Sequence, residues 1–105
     1  MAEILELTQQ DFDKTISTGV VLVDFFATWC GPCRMMAPII SQVAQKLEGK
    51  AKVYKLDVDK APEIASRFGV MSIPTLIFFK DGKEASRLIG VQQEGKIIEE
   101  IEKLF

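Results

Sequence analysis

The sequence predicts an α/β domain, because short β-branched runs alternate with helical patterns along its 105 residues. The alternation changes near the end, where two strand-like runs flank Asp81-Gly82, a strong signal for a tight hairpin. A composition with 48% hydrophobic and 27% charged residues is typical of a folded globular domain. We therefore expect one domain, residues 1–105, whose sheet mixes parallel and antiparallel strands.

The first elements are a strand, a helix and a second strand. Residues 3–7 alternate polar and apolar side chains, as a strand does. Thr8 and Asp11 have the spacing of a capping box, which predicts a helix from there to about Thr18. The run VVLVDFFA, residues 20–27, has the unbroken apolar character of a parallel strand buried on both faces.

A long helix follows the second strand. From Cys33 to Gly49, apolar residues recur at three- and four-residue steps, and this stripe consists of Met36, Ala37, Ile40, Val43, Ala44 and Leu47. Pro38 removes one backbone hydrogen bond without interrupting the stripe, so we predict a single bent helix. Because Cys33 lies on the stripe, its thiol should be shielded from solvent.

The second half of the chain continues with a strand at residues 51–58 and a short helix in APEIASRFG, where proline suits the first turn and glycine the end. TLIFFK and KEASRLIG then form the predicted antiparallel hairpin. The last helix, residues 93–104, should pack one apolar face on the sheet, formed by Ile97, Ile98, Ile101 and Leu104.

Composition excludes several kinds of function. The net charge of −2, with lysines and glutamates intermixed, leaves no basic face for nucleic acid. No apolar run reaches the about 20 residues that span a bilayer, and the acidic start of the chain does not resemble a signal peptide. The absence of histidine excludes Cys-His nucleophile pairs. We expect a cytoplasmic monomer without nucleic-acid or membrane partners.

Both cysteines of the chain, Cys30 and Cys33, lie in the motif WCGPC, between the second strand and the long helix. A structural disulfide across so short a loop would restrict the unfolded chain little, and the cytosol would reduce it. A closed zinc site needs four ligands, of which this pair supplies two. We therefore predict a redox-active dithiol and no metal.

The expected position of this motif gives each thiol its own role. Cys30, at the helix cap, faces unpaired amides and the positive helix end, which stabilise a thiolate, and Arg34 is expected to contribute. Cys30 is therefore the predicted nucleophile, and Cys33, one turn further on, the resolving thiol. Gly31 permits a close backbone approach, while Pro32 suits the first helical turn.

Asp24 is the charged residue within the second strand. On the strand face that it shares with Leu22 and Phe26, desolvation should raise its pKa towards neutrality. We predict that Asp24 acts as general base for Cys33, directly or through a water. The alternative is a buried acid whose charge is compensated by Lys55, on the neighbouring strand, and we include Lys55 in the catalytic site.

The motifs WCGPC, VDFFA with its aspartate, and SIPTL together closely resemble the thioredoxin family, and the likeness runs from Glu3 to Leu104. The resemblance implies the thioredoxin fold, a five-stranded mixed sheet flanked by four helices. It implies a protein-disulfide reductase whose partners are disulfide-containing target proteins. It also implies that an NADPH-dependent flavoprotein, thioredoxin reductase, reduces the oxidised pair, so that this chain itself holds no cofactor.

The resemblance further implies a flat apolar docking rim around Cys30, formed by Trp29, Gly31, Pro32, Ile73, Pro74, Gly90 and Val91. An extended target segment would pair with the backbone beside Thr75. The Ile73-Pro74 peptide is expected to be cis, the alternative being an ordinary proline at the start of a strand. Trp29 could instead pack internally, although its place before a cap cysteine favours docking, and Gly90 is equally well explained as a turn residue.

Four positions depart from the family pattern: Phe26 replaces a common second tryptophan, Arg34 a common lysine, and Met71-Ser72 an Arg-Gly pair. Met71 and Arg34 border the expected docking surface, which leaves the choice of partner open. Two other functions remain to be tested. An oxidant or isomerase is disfavoured because no cation lies between the cysteines. A binding module would use the docking rim without thiol chemistry.

Overall fold

The computed structural model describes residues 3–105 and confirms the α/β prediction. In that range the chain forms, in order, β1 (Leu5–Leu7), α1 (Phe12–Ile16), β2 (Val20–Phe26), α2 (Gly31–Lys46), β3 (Lys52–Asp57), α3 (Pro62–Arg67), β4 (Thr75–Lys80), β5 (Lys83–Ile89) and α4 (Glu94–Glu102). None of the helices within residues 3–105 combines the length and the apolar character needed to span a membrane.

The strands form one mixed sheet in the order β1-β3-β2-β4-β5. β3 is parallel to β1 and β2, whereas β4 is antiparallel to β2 and β5. The predicted central strand is therefore parallel to one neighbour and antiparallel to the other. Binding and catalytic sites in open α/β sheets form beyond the carboxyl ends of the parallel strands, and β2 delivers the CGPC motif to that edge.

Apolar cores cover both faces of the sheet. On one face, α1 and α3 pack around four aromatic rings whose contacting centroids lie 5.3 to 6.4 Å apart, namely Phe12, Phe25, Phe68 and Phe79. On the other face, α2 and α4 bury Met36, Ile40, Ile97 and Ile101. Leu22 points to this second core, and strand alternation places Asp24 on the same face, beneath α2.

The hairpin is confirmed together with its turn chemistry. Asp81 and Gly82 both have positive φ, 49° and 86°, as a two-residue type I′ turn requires. The Asp81 carboxylate also accepts a hydrogen bond from the Gly19 amide at 2.8 Å, which ties the turn to the start of β2.

Several local predictions differ from the structure: β1 begins at Leu5 rather than at residue 3, and α4 spans Glu94–Glu102 rather than residues 93–104. The Thr8–Asp11 capping box forms, with reciprocal hydrogen bonds of 2.7 and 3.2 Å, but α1 ends at Ile16 rather than Thr18. The Ser17 hydroxyl donates to the Lys14 carbonyl at 2.7 Å and so takes the acceptor that another helical residue would need. In α2 the helix is continuous through Pro38 as predicted, but Ala37 lies exposed outside the buried stripe.

Candidate active site

The cysteine pair lies where β2 ends and α2 begins. Cys30 and Cys33 form a disulfide, and their Cα atoms are 5.3 Å apart. Cys30 is the N-cap of α2, and its Sγ accepts a hydrogen bond from the Cys33 amide at 3.1 Å. Capping side chains normally offer an oxygen at this position. A Cys30 thiolate would therefore meet an amide donor and the positive end of a 16-residue helix.

Solvent exposure does not distinguish the two cysteines. Cys33 is 5% exposed, which confirms its predicted shielding, but Cys30 is only 4% exposed. Ile73, which precedes β4, covers the pair, and its carbonyl oxygen lies 3.9 Å from Cys30 Sγ. The difference lies in the surroundings, because Cys33 lines a cavity, open to solvent on one side, that Cys30 does not line.

Asp24 lies buried beneath the start of α2, with 5% of its surface exposed. Burial raises the pKa of Asp24 from its usual 3.8 to about 7, and the positive charge of Lys55 lowers it in part. Oδ1 of Asp24 is buried without a hydrogen-bond partner among the described residues. The burial and the raised pKa that the sequence predicted are thus confirmed.

Lys55 faces Asp24 across the β2–β3 pair, where the two residues are partners in the strand register. Its ammonium lies over the ring of Phe26, 5.5 Å from the centroid. Among residues 3–105 Lys55 forms no ion pair, with Asp24 or with any other acid. Lys55 therefore compensates the charge of Asp24 in part and without a salt bridge, and both the compensating and the catalytic role of Lys55 stay predictions.

A cavity of about 490 Å³ joins these groups. Asp24 of β2, Lys55 of β3 and Cys33 of α2 all form part of its wall. Arg34 also lines it, and the Arg34 guanidinium donates to the Thr28 carbonyl at 2.8 Å. The guanidinium of Arg34 is thus tied to the loop before the helix, and its expected contribution to stabilising the Cys30 thiolate stays a prediction.

The predicted docking rim forms an uneven surface beside Cys30. Trp29 is 67% exposed, Val91 is 45% exposed and Pro32 is exposed, whereas Gly31, Ile73 and Gly90 are half-buried and Pro74 and Thr75 are buried. The Ile73-Pro74 peptide is cis, as the resemblance implied. Met71, 96% exposed, stands at the edge of this surface.

Backbone and side-chain hydrogen bonds hold the docking rim in place. The Gly90 amide donates to the Pro74 carbonyl at 2.8 Å. Gly90 also has a φ of 88°, a backbone conformation that favours glycine and suits a turn residue, which was the alternative explanation for this position. The Thr75 hydroxyl donates to the Ser72 carbonyl at 2.6 Å. Because the Thr75 hydroxyl is bonded within the protein, it is not free to contact a target. The exposed rings and alkyl groups of the docking rim remain free to do so.

Sequence reasoning missed one residue of this surface. The indole Nε1 of Trp29 donates to the carboxylate of Asp59 at 2.8 Å, and this contact excludes internal packing for Trp29. Asp59 follows β3 and lies thirty positions from Trp29, so no local pattern links the two residues. The carboxylate fixes the ring in its exposed orientation.

Comparison with known proteins gives a consistent result. The family model for thioredoxin matches residues 3–103. The thioredoxin of Staphylococcus saprophyticus is 51% identical over 100 residues, which are 95% of this chain and 96% of the relative, and a thioredoxin of Staphylococcus aureus is 49% identical with the same coverage.

Solved structures agree with the sequence relatives. A mutant thioredoxin from Halobacterium salinarum NRC-1 superposes with a TM-score of 0.90 at 38% identity, covering 97% of this chain and 90% of that one. A chain from a study of thiol resolution in yeast mitochondrial 1-Cys peroxiredoxin by glutathione/thioredoxin systems gives 0.89 at 33% identity, with 97% and 96% covered. The chain therefore belongs to the thioredoxin family, and its Cys30-Cys33 pair makes it an oxidoreductase that reduces disulfides.

Proposed function

We propose that this chain is a general protein-disulfide reductase in which Cys30 attacks the target disulfide and Cys33 releases the product. The observation that carries the proposal is the placement of the pair between two environments. Cys30 caps α2 beside the docking rim, while Cys33 shares a cavity with the buried Asp24. Each thiol thus lies next to the groups that its step requires.

In the first step the Cys30 thiolate attacks one sulfur of the target disulfide. The target S–S bond breaks, a mixed disulfide forms with Cys30, and the second target sulfur leaves as a thiolate that takes a proton from solvent. The Cys33 amide, 3.1 Å from Cys30 Sγ, and the N-terminal end of α2 favour the thiolate over the thiol before attack.

In the second step Cys33 loses its proton and attacks Cys30 Sγ. The Cys30–target bond breaks and the Cys30–Cys33 disulfide forms, while the target sulfur leaves as a thiolate that takes a proton from solvent and completes the reduced dithiol. Asp24, whose pKa is raised to about 7, is matched to accept the Cys33 proton near neutral pH. Lys55 favours the ionised form of Asp24 to which the group must return after each turnover.

Target docking is assigned to the apolar surface around Cys30. The Trp29 ring, held by Asp59, offers a rigid flat contact, and Ile73 and Val91 extend the apolar area. An extended target segment that pairs with backbone beside Thr75 would bring its disulfide towards Cys30. The fully exposed Met71 would then contribute to the choice of partner.

Turnover requires that the oxidised pair be reduced again. Because the chain belongs to the thioredoxin family, we assign this reduction to an NADPH-dependent thioredoxin reductase. The same membership supports disulfide-containing proteins as the targets that receive the electrons. The same membership supports a cytoplasmic monomer in which residues 1–105 form one thioredoxin domain.

Two cysteine variants test the proposal in a disulfide-reduction assay with insulin as substrate. Cys30→Ser should abolish reduction, whereas Cys33→Ser should accumulate a mixed disulfide that non-reducing electrophoresis detects. A binding module would keep its partner-dependent activity in both variants, and that result would refute the reductase. An oxidant or isomerase is tested by the reduction potential, which should lie well below the about −180 mV of disulfide isomerases.

A further inference from the structure

The cavity behind the cysteine pair has the features of a ligand site. Its volume of about 490 Å³ falls within the roughly 300–1,000 Å³ of small-molecule pockets. Much of its wall is apolar, formed by Ile4, Phe26, Ala27, Pro38 and Ile40. It opens on the side of the sheet that α2 covers and does not include any docking-rim residue. A short alkyl chain placed there would leave water for an apolar surface.

The wall carries three charged side chains, and two of them are cations. Lys55 and Arg34 both line the cavity, and within the described residues neither forms an ion pair. Arg34 donates to the Thr28 carbonyl through one of its nitrogens, and a guanidinium has five N–H donors in all. Two positive charges beside an apolar wall favour an anion with an apolar body over a cation of the same size.

The one acid of the wall supplies the second observation. Oδ1 of Asp24 is buried and has no hydrogen-bond partner among residues 3–105, although such groups are normally satisfied. Lys55 faces Asp24 from β3, and Arg34 and Cys33 approach the same cavity from α2. When protonated, the Asp24 carboxyl can donate a hydrogen bond to a ligand oxygen, and it then adds no negative charge to the cavity.

We propose that this cavity binds small aliphatic monocarboxylates, with the ligand carboxylate between Lys55 and Asp24 and the alkyl chain against Phe26, Pro38 and Ile40. The ligand carboxylate accepts from the Lys55 ammonium and from the Asp24 carboxyl. Binding does not depend on the roles assigned to the thiols. Occupancy would also close the space through which Cys33 and Asp24 exchange a proton, a consequence that rests on the proposed function.

The test is an NMR titration of the oxidised protein with sodium hexanoate, with hexylamine as a matched cation of the same chain length. Hexanoate should give saturable amide shifts at residues of β2, α2 and β3 that border the cavity, and hexylamine should not. Lys55→Gln should weaken hexanoate binding about fivefold or more, as expected for loss of a charge-assisted hydrogen bond. Lys52→Gln, on the same strand but outside the cavity, should leave the affinity unchanged.

A second variant tests the location without changing any charge. Ala37 is an exposed helical residue at the cavity wall, so Ala37→Leu should fold normally and fill part of the space. It should weaken hexanoate binding. Shifts that do not saturate, hexylamine binding as tight as hexanoate, equal losses from Lys55→Gln and Lys52→Gln, or full affinity in Ala37→Leu would each overturn the proposal.

Discussion

Replacing Asp24 by asparagine should stabilise the oxidised protein, and the gain should depend on pH. Burial raises the pKa of Asp24 from 3.8 to about 7, so the folded state disfavours the carboxylate. That difference corresponds to about 4 kcal/mol between the two protonation states. Asparagine has nearly the same shape and never ionises, so Asp24→Asn avoids this cost.

The direction of the pH dependence follows from proton binding. Between pH 4 and 7, Asp24 is ionised in the unfolded chain but still protonated in the folded one, so the folded state binds more protons. Wild-type stability therefore falls as pH rises through this window, relative to the variant. We expect a difference in the free energy of unfolding that is near its smallest at about pH 4 and larger by about 4 kcal/mol above pH 7.

Urea unfolding of both oxidised proteins at several pH values measures this difference. Asp13→Asn is a suitable control because Asp13 is exposed and pairs with Arg67 at the surface, where charges contribute little. A stability difference for Asp24→Asn that is the same at pH 5 and pH 8 would refute the reasoning. The same variant should slow release of the mixed disulfide at neutral pH, because Cys33 loses its proton acceptor.

Three further predictions concern other parts of the molecule. Lys55→Gln removes the charge that lowers the pKa of Asp24, so a carboxyl NMR titration should find that pKa above about 7, and a fall would contradict the assignment. Asp59→Ala frees the indole of Trp29, the single tryptophan, so fluorescence anisotropy should decrease and KM for a protein target should rise with kcat unchanged; an unaltered anisotropy would show that the hydrogen bond does not restrain the ring. Ile97→Ala should cost about 3 kcal/mol in chemical denaturation, more than Ile98→Ala, because Ile97 is fully buried and Ile98 is not; equal losses would contradict this packing.

The elements could be predicted because each carries its own periodicity or turn signal. The hairpin depends on two adjacent residues, Asp81 and Gly82, and the site depends on a motif of five letters, so local sequence contained both. The error at the end of α1 arises because a nearby side chain competes with the helix for a backbone hydrogen-bond acceptor. The Ser17 hydroxyl ends α1 early by bonding the Lys14 carbonyl, a competition that the helical pattern does not show.

The parts of the site that could not be predicted depend on contacts between distant segments. Ile73 lies far along the chain from Cys30, yet it packs against the cysteine pair, and Cys30 is as buried as Cys33. Asp59 reaches Trp29 from the loop after β3. The sequence places Lys55 on the strand beside Asp24, but only the strand register shows that the two residues are direct partners. Spacing within a motif contains none of this information, because it arises only when the sheet assembles.

The order of the strands explains why two such different environments meet at one pair of sulfurs. β2 is central, so its carboxyl end is flanked by β3 on one side and β4 on the other. The β4 side contributes Ile73, which packs against the cysteine pair, and Pro74, both in the predicted docking rim, while the β3 side contributes Lys55 opposite Asp24. Cys30 at the cap of α2 therefore lies beside the docking rim, and Cys33, one turn further along, lines the cavity. Substrate contact and proton transfer can change independently, because no residue of the docking rim lines the cavity.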